Sequence, residues 1–348
     1  MKAAIFHQFG APDVLRYEDV PDPEPGPGEI VVAVRAVTVN RVLDASVRRG
    51  EQTRRNVQLP LVLGVDPSGV VSAVGAGVVA PKIGDNVCLL SRVPCLACDT
   101  CEAGNFDVCP NPAMLGVGCW GGDADYVKAP ASCAVPMPDN LSFPEACAVI
   151  RHGPTAHHLM FDRAELKAGE TVLVMGASGG LGTIGIQIAK AAGATVIAGA
   201  GAAERVQVAL ELGADYGIDY GACDLTEEVM RITAGAGVNV VFENVSNPAT
   251  WPKALKSLGH EGRLVTAGAH GGGKVELDCD FLYHNRLTIM GSAGSSRRNV
   301  DDTLAAAAAG KLKIHVEKVL PLSEAAEAHR IIEAGVPAGK IVLDPTLG

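Results

Sequence analysis

Apolar positions along this chain change rhythm twice. Up to about residue 140 they come in short alternating runs broken by Pro and Gly, such as Glu29 to Val37 (EIVVAVRAV). That alternation predicts the strands of an irregular, partly closed β domain. From about 141 to 297, continuous apolar runs alternate with amphipathic ones. TVLVMG (171–176) precedes a helical TIGIQIAKAAGA, and TVIAGAG (195–201) precedes ERVQVALELGA. VNVVFENV (238–245), GRLVTAGA (262–269) and LTIMGSA (287–293) supply further strands. Strands that are apolar throughout and interleaved with amphipathic helices predict a parallel sheet covered on both faces. The remainder carries an Ala-rich helix, a short strand near Lys313 to Val316, a helix over SEAAEAHRIIEAG and a closing strand, KIVLDP.

Length and composition narrow this picture. At 348 residues the chain has room for two domains, or for one inserted in another. With 41 Gly and 4% aromatics it suits an α/β protein with many tight turns better than a binding module built on aromatic platforms. The net charge is -10 and no Lys/Arg run interrupts it, so a nucleic-acid groove and an anionic membrane surface are both disfavoured. The opening MKAAIFHQFG lacks the apolar core of a secretory signal, and no apolar run is long enough to span a bilayer. Of the ten cysteines, four cluster and six (Cys88, Cys119, Cys133, Cys147, Cys223, Cys279) are scattered. This reads as a metal site plus free thiols in a reducing compartment, the cytoplasm.

Two motifs carry chemistry. After the strand ending at Met175 comes Gly176-Ala177-Ser178-Gly179-Gly180-Leu181-Gly182, then a helix. Glycines there let the backbone approach a pyrophosphate, and a helix N-terminus offers amides and partial positive charge. An NAD enzyme is expected to end its second strand with an acid for the ribose 2′-hydroxyl. Here Ala198 to Ala202 is AGAGA, with no acid before Glu204 and with Arg205 near enough in sequence to pair with a 2′-phosphate. The expected cofactor is therefore NADPH, unless Arg205 merely faces solvent. The second motif, Cys95, Cys98, Cys101 and Cys109, spaced C-x2-C-x2-C-x7-C in a lobe at about 93–112, predicts a closed tetrahedral Zn2+ site with a structural role. An iron–sulfur centre is the rival, though the spacing differs from ferredoxin runs.

Together with KAAIFHQFGAPDVLRYEDVPDPEPGPGEIVVAV, LGVDPSGVVSAVGAGV, GGDADYV, ELGADYGIDY and AAEAHRIIEAGVPAGKIVL, these motifs resemble the medium-chain dehydrogenase/reductase superfamily over nearly the whole chain. The resemblance implies an α/β fold: a GroES-like β-rich catalytic domain (1–140 and 298–348) with an inserted Rossmann-type doubly wound sheet (141–297) and the active site in the cleft between them. It extends cofactor roles to Thr155, Arg205, Tyr220, Asn244, Ala267, Gly268 and Lys340. It also suggests that 287–299 holds an edge strand used for a homodimer, with a tetramer as the alternative.

The chain departs from the alcohol dehydrogenases of that superfamily where a catalytic zinc would sit. Asn40 replaces a Cys, Val65-Asp66 replaces a His-Glu pair, and Arg151 stands four residues before Thr155. Valine cannot ligate a metal and arginine is a fixed cation. No catalytic zinc is expected, an improvised site from Asp66, His152 and Cys119 being the alternative. Asn40 to Asp44 with Arg48-Arg49-Gly50 resembles the zinc-free acryloyl-CoA reductase-like and quinone oxidoreductase-like branches. The expectation is hydride transfer to the activated C=C of a small unsaturated carbonyl or thioester. In it, Asn40 donates to the enolate, Arg151 or His152 stabilises charge, and Asp44 orients Asn40 or joins a proton path. The structural alternatives are that Asn40 ties down a loop, Arg151 pairs with Asp66, and His152 faces solvent. Quinone reduction, zinc-type alcohol oxidation (disfavoured) and non-catalytic NADPH binding are the other readings.

Overall fold

The computed structural model describes residues 1–52, 57–292, 294–335 and 339–347, so Ala293, the last position of the strand expected over 287–293, lies outside the described residues. The chain divides into two compact units, Met1–Arg151 with Ile314–Gly348, and His152–Lys313.

The N-terminal part of the first unit contains β1 (Lys2–Phe6), β2 (Arg16–Asp19), β3 (Glu29–Val39), β4 (Leu61–Val62), β5 (Ser68–Val74), β6 (Asn86–Leu89), β7 (Arg92–Val93), β8 (Ala113–Met114), β9 (Tyr126–Pro130) and β10 (Ala134–Pro136). Its helices are α1 (Leu43–Arg48), α2 (Asp99–Glu102) and α3 (Phe143–Ile150). The second unit runs α4 (His152–His157), β11 (Thr171–Met175), α5 (Gly180–Ala191), β12 (Thr195–Ala200), α6 (Ala203–Glu211), β13 (Tyr216–Asp219) and α7 (Leu225–Ile232). It continues with β14 (Val238–Glu243), α8 (Trp251–Lys256), β15 (Leu258–Thr266), α9 (Cys279–His284), β16 (Thr288–Gly291) and α10 (Arg297–Ala308). The chain then returns to the first unit as β17 (Val316–Pro321), α11 (Ala325–Ala334) and β18 (Lys340–Asp344).

In the first unit the main sheet has the order β10-β6-β5-β3-β18-β17, with β9 also on β3. The alternation read in EIVVAVRAV is borne out by β3, whose Ile30, Val32, Val34, Val37 and Val39 enter one core with Leu63, Val71, Ile341 and Leu343. Helix α3 begins at a capping box, in which the Ser142 hydroxyl receives the Glu145 amide while the Glu145 carboxylate receives the Ser142 amide.

Helix α1 has six residues, too few to be stable alone. Tertiary bonds at its last residue hold it. Arg48 is fully buried and donates to His329 Nδ1 (3.2 Å), Glu333 (2.5 Å) and the Gly10 carbonyl. Burial, and then the charges of Arg48 and Arg49, push the His329 imidazole down to about 3, so its neutral ring accepts at Nδ1. These bonds fasten α1 to α11 and to the loop after β1.

The second unit is an all-parallel sheet of order β13-β12-β11-β14-β15-β16. The expected doubly wound architecture is observed, with two differences in detail. β13 was not read as a strand, because only Ile218 of its four residues is buried and a glycine interrupts it. The short strand expected near Lys313 to Val316 begins only at Val316 and runs to Pro321. The reason is that Gln187 on α5 takes both backbone groups of Lys313, receiving its amide at 2.6 Å and donating to its carbonyl at 3.2 Å. Helix α10 belongs to this unit because Thr303 packs onto the bare backbone of Gly153 in α4. Among the described residues no helix is long and apolar enough to cross a membrane.

Replacing Arg48 with Met is expected to lower the unfolding free energy by about 3 kcal/mol, since it strands His329 Nδ1, the Gly10 carbonyl and part of Glu333. Urea denaturation of the two proteins checks this, and a loss below about 1 kcal/mol would contradict the role given to this cluster.

Candidate active site

Three strand ends of the second unit converge. Gly176 leaves β11 with φ +62, a conformation glycine adopts without strain. The turn closes by Gly179 N–H to the Gly176 carbonyl at 2.9 Å. Gly182, one turn into α5, is needed for close approach, since a Cβ there would lie 2.3 Å from the Gly176 oxygen. No side chain caps α5 at Gly179. Such a turn brings backbone amides and a helix N-terminus to where a pyrophosphate can approach. Asn244 follows β14 and sits against Gly176, with its Nδ2 buried and without a hydrogen-bond partner. An orphaned buried donor beside the glycine turn fits a bound dinucleotide.

Beyond β12, Gly201 and Ala202 lead into α6, where Glu204 and Arg205 are both exposed. Tyr220 is half-buried, its ring over Gly201; burial raises its phenol and the nearby Arg205 charge offsets this in part. Ala267 and Gly268 follow β15, and Thr155 lies within α4.

The cysteine lobe lies in the first unit. All four sulfurs fall within 4.8 Å of one another, with Cys95–Cys109 at 3.6 Å and Cys95–Cys101 and Cys98–Cys109 at 4.0 Å. A tetrahedral zinc with Zn–S of about 2.3 Å sets sulfurs about 3.8 Å apart, so the lobe fits that ion. The Cys95 amide points at the Cys109 sulfur (3.4 Å) and pushes that thiol down to about 6. Among the described residues this is the one group of three or more His, Cys, Asp or Glu side chains close enough to share an ion.

Elsewhere in the first unit a second polar cluster forms. Asp66 Oδ2 accepts from Thr38 Oγ1 at 2.9 Å and Asn40 Nδ2 at 3.0 Å, while its Oδ1 is 3.6 Å from the Arg151 guanidinium. Asp44 Oδ2 accepts the Asn40 backbone amide at 2.7 Å, and its Oδ1 has no partner. Lys340 Nζ donates to Asn40 Oδ1 at 3.0 Å. Because an ammonium only donates, it fixes the orientation of the Asn40 amide. Burial, reinforced by the Asp66 charge, raises Asp44 to about 7 against the bond from the Asn40 amide. Burial likewise lowers Lys340 to about 8, although Asp66 opposes the shift.

This geometry regroups the residues singled out in the sequence. Asn40, Asp44 and Arg151 come together; Lys340, expected at the cofactor, is bonded to Asn40; and His152 opens α4 in the other unit. The Asn40 amide NH2, expected to donate to substrate, donates to Asp66 and Thr38 instead. Arg151 does pair with Asp66. Val65 is fully buried, and Cys119 gives its thiol to the Met114 carbonyl. Thr38 and the buried Glu243 were missed; an acid closing the apolar run VNVVFE was the signal for the latter.

A doubly wound sheet with a glycine cradle, in a chain whose other unit is β-rich and built from both chain ends, is the architecture of oxidoreductases that use a nicotinamide dinucleotide. Comparison with known proteins is more specific. Residues 26–139 match the alcohol dehydrogenase GroES-like domain, and residues 180–309 match the zinc-binding dehydrogenase family. An NAD-dependent alcohol dehydrogenase of Sulfolobus acidocaldarius is 34% identical over 352 residues, covering 99% of this chain and 100% of that one. The crystal structure of AibC superposes with a TM-score of 0.92 at 35% identity, covering 99% of this chain and 95% of the other. A quinone oxidoreductase of Pseudomonas syringae pv. Tomato DC3000 gives a TM-score of 0.82 at 28% identity, with 99% of each chain covered. The chain belongs to the zinc-binding dehydrogenases of the medium-chain dehydrogenase/reductase superfamily.

Gly182→Val is expected to open the turn and weaken binding of either nicotinamide dinucleotide by at least about tenfold. Titration followed by cofactor fluorescence checks this, and unchanged affinity would remove the cradle from the site.

Proposed function

We propose that the chain is an NADPH-dependent reductase that adds hydride to the activated C=C of an α,β-unsaturated carbonyl compound or thioester. The observation that carries this reading is the Asn40–Asp66–Arg151–Lys340 cluster, in which Asn40 and Arg151 stand where the resemblance puts metal ligands of the zinc alcohol dehydrogenases and Lys340 is bonded to Asn40. The Asn40 oxygen is taken by Lys340 and the Asp66 oxygens by Thr38, Asn40 and Arg151, a donor set poorly suited to a divalent ion. The metal in this proposal is one structural zinc, held by Cys95, Cys98, Cys101 and Cys109. The open end of β12 and exposed Arg205 favour NADPH over NADH. The edge strand β16 supports a homodimer.

When bound, the nicotinamide supplies the hydride. Reduction at the β-carbon leaves negative charge on the carbonyl oxygen, and Arg151 and Lys340 are the cations suited to receive it. Asn40 orients Lys340 and does not itself donate to substrate. Asp44, raised to about 7, is divided between its protonated and ionised forms near neutral pH, has an unpartnered Oδ1 to carry the proton, and is the acid of the cluster. Quinone reduction is the second reading, favoured by the likeness to the Pseudomonas syringae enzyme.

On this mechanism kcat/KM falls as pH rises through about 7, where Asp44 loses its proton, and falls further near 8 with Lys340. Asp44→Asn is expected to lower turnover and abolish the first fall; a wild-type profile flat from neutral to alkaline pH contradicts the role of Asp44. NADPH is expected to exceed NADH in kcat/KM by about tenfold or more, with Arg205→Ala narrowing the gap. Assay of enones, enoyl thioesters, quinones and primary alcohols with both cofactors tests the whole reading. A preference for NADH with alcohols overturns it, and tight NADPH binding without turnover on any of them favours a non-catalytic protein. Metal analysis is expected to find zinc that Cys109→Ala loses.

A further inference from the structure

One buried carboxylate in the second unit has no part in the chemistry above. Glu243 ends β14, is fully buried, and has Thr266 as its neighbour across the ladder to β15. Its Oε1 accepts the Val245 amide at 3.0 Å and the Ser246 amide at 2.9 Å, while Oε2 lies 3.0 Å from the Ser246 amide and 3.4 Å from the Thr266 hydroxyl. Wrapping two successive amides around the carboxylate holds Ser246 at φ +51, in the left-handed region where a side chain is strained. In that conformation the Ser246 hydroxyl reaches the Gly268 carbonyl at 2.5 Å, the shorter of its two possible bonds. The exit loop of β15 then lies on that of β14: the Gly271 amide donates to the Val245 carbonyl at 2.6 Å and the Gly273 amide to the Ser246 carbonyl at 3.2 Å. Gly268 itself sits so close that a Cβ would be 2.0 Å from the Asn244 oxygen.

We infer that Glu243 is a positioning residue for the nicotinamide cofactor: its carboxylate locks the loops after β14 and β15 together, so that Asn244, with its orphaned amide, and Gly268 stand in fixed register beside the glycine turn. This rests on the dinucleotide reading of the cradle and not on the identity of the reducible substrate. A buried carboxylate that only filled the core would need its hydrogen bonds satisfied, but would not need them to come from the exit loop of its own strand, whose Ser246 in turn holds the Gly268 carbonyl of the next.

The test is direct titration of the full-length chain with NADPH and with NADH, read by cofactor fluorescence below the melting temperature of each variant. Glu243→Gln keeps the shape and replaces one acceptor oxygen with a donor. It is expected to weaken binding of the preferred cofactor about tenfold, with kcat at saturating cofactor less affected than KM. Ser246→Ala keeps the carboxylate and cuts only the link to Gly268, with a smaller loss expected in the same direction. In hydrogen exchange, the amides of residues 245–246 and 271–273 lose protection in both variants and regain it when cofactor saturates the site. Affinities within about twofold of wild type, alongside a lowered melting temperature, overturn the inference and leave Glu243 a purely structural group. Should Glu243→Gln fail to fold, Ser246→Ala decides alone by the same two readouts. A wild-type chain that bound neither cofactor would overturn the dinucleotide reading, and the positioning role with it.

Discussion

Three antiparallel pairs between β3 and β18, Val39 with Ile341, Thr38 with Val342 and Val37 with Leu343, decide where the charges of the first unit meet. They bring Lys340, near the end of the chain, onto Asn40, three hundred residues earlier, and so complete the cluster around Asp66. Burial holds the register. Val37, Val39, Ile341 and Leu343 face one core, while Ala36 and Val342 face Cys147 on the other side. Slipping β18 by one residue would exchange these faces and turn apolar side chains away from both cores, at a cost far above that of any single hydrogen bond. The polar site is thus located by hydrophobic packing and only then refined by its own bonds.

Burying several charges together is costly unless each is paired. The cluster meets this in two ways. Asp66 accepts two neutral donors and faces Arg151, so its charge is compensated on both oxygens. Asp44 receives a backbone amide on one oxygen and nothing on the other, and the resulting rise in its proton affinity lets it avoid part of the cost by remaining protonated. The second unit solves the same problem differently. Glu243 is surrounded by amide and hydroxyl donors from its own strand end and the next, so a buried acid there organises backbone instead of holding a substrate-facing charge.

Much of this was legible from residue pattern alone. Continuous apolar runs fixed the parallel sheet, and glycines between strand and helix marked the cradle, because both depend on local rules of burial and backbone freedom. The cysteine lobe was legible for a similar reason: four ligands within one short loop need no distant partner. What local pattern does not reveal is where distant side chains intervene. Gln187 captures Lys313 across 126 residues and prevents a strand there. Nothing in the local sequence of Lys340 reveals Asn40 as its neighbour. The Asn40 amide was given a substrate role because Asp66 and Thr38, which occupy it, are brought near only by the β3 register.

The contrast between the two polar centres of the first unit follows from the donors each presents. Four thiols on one lobe, with an amide already aimed at the Cys109 sulfur, gain from a divalent cation that neutralises them as thiolates. The Asp66 cluster presents two carboxylates to two cations, one of the acids with its proton affinity raised. A divalent ion entering there would have to displace Lys340 from Asn40 and Arg151 from Asp66, and would then face both cations at short range in a medium that screens weakly. On the proposed reading, Asn40, Val65 and Arg151 in place of metal ligands are therefore more than a loss. With Lys340 bonded to Asn40, a coordinated Lewis acid gives way to two tethered cations and an acid near neutrality, a set that suits oxygen charge arising from hydride addition to a conjugated double bond better than removal of hydride from an alcohol.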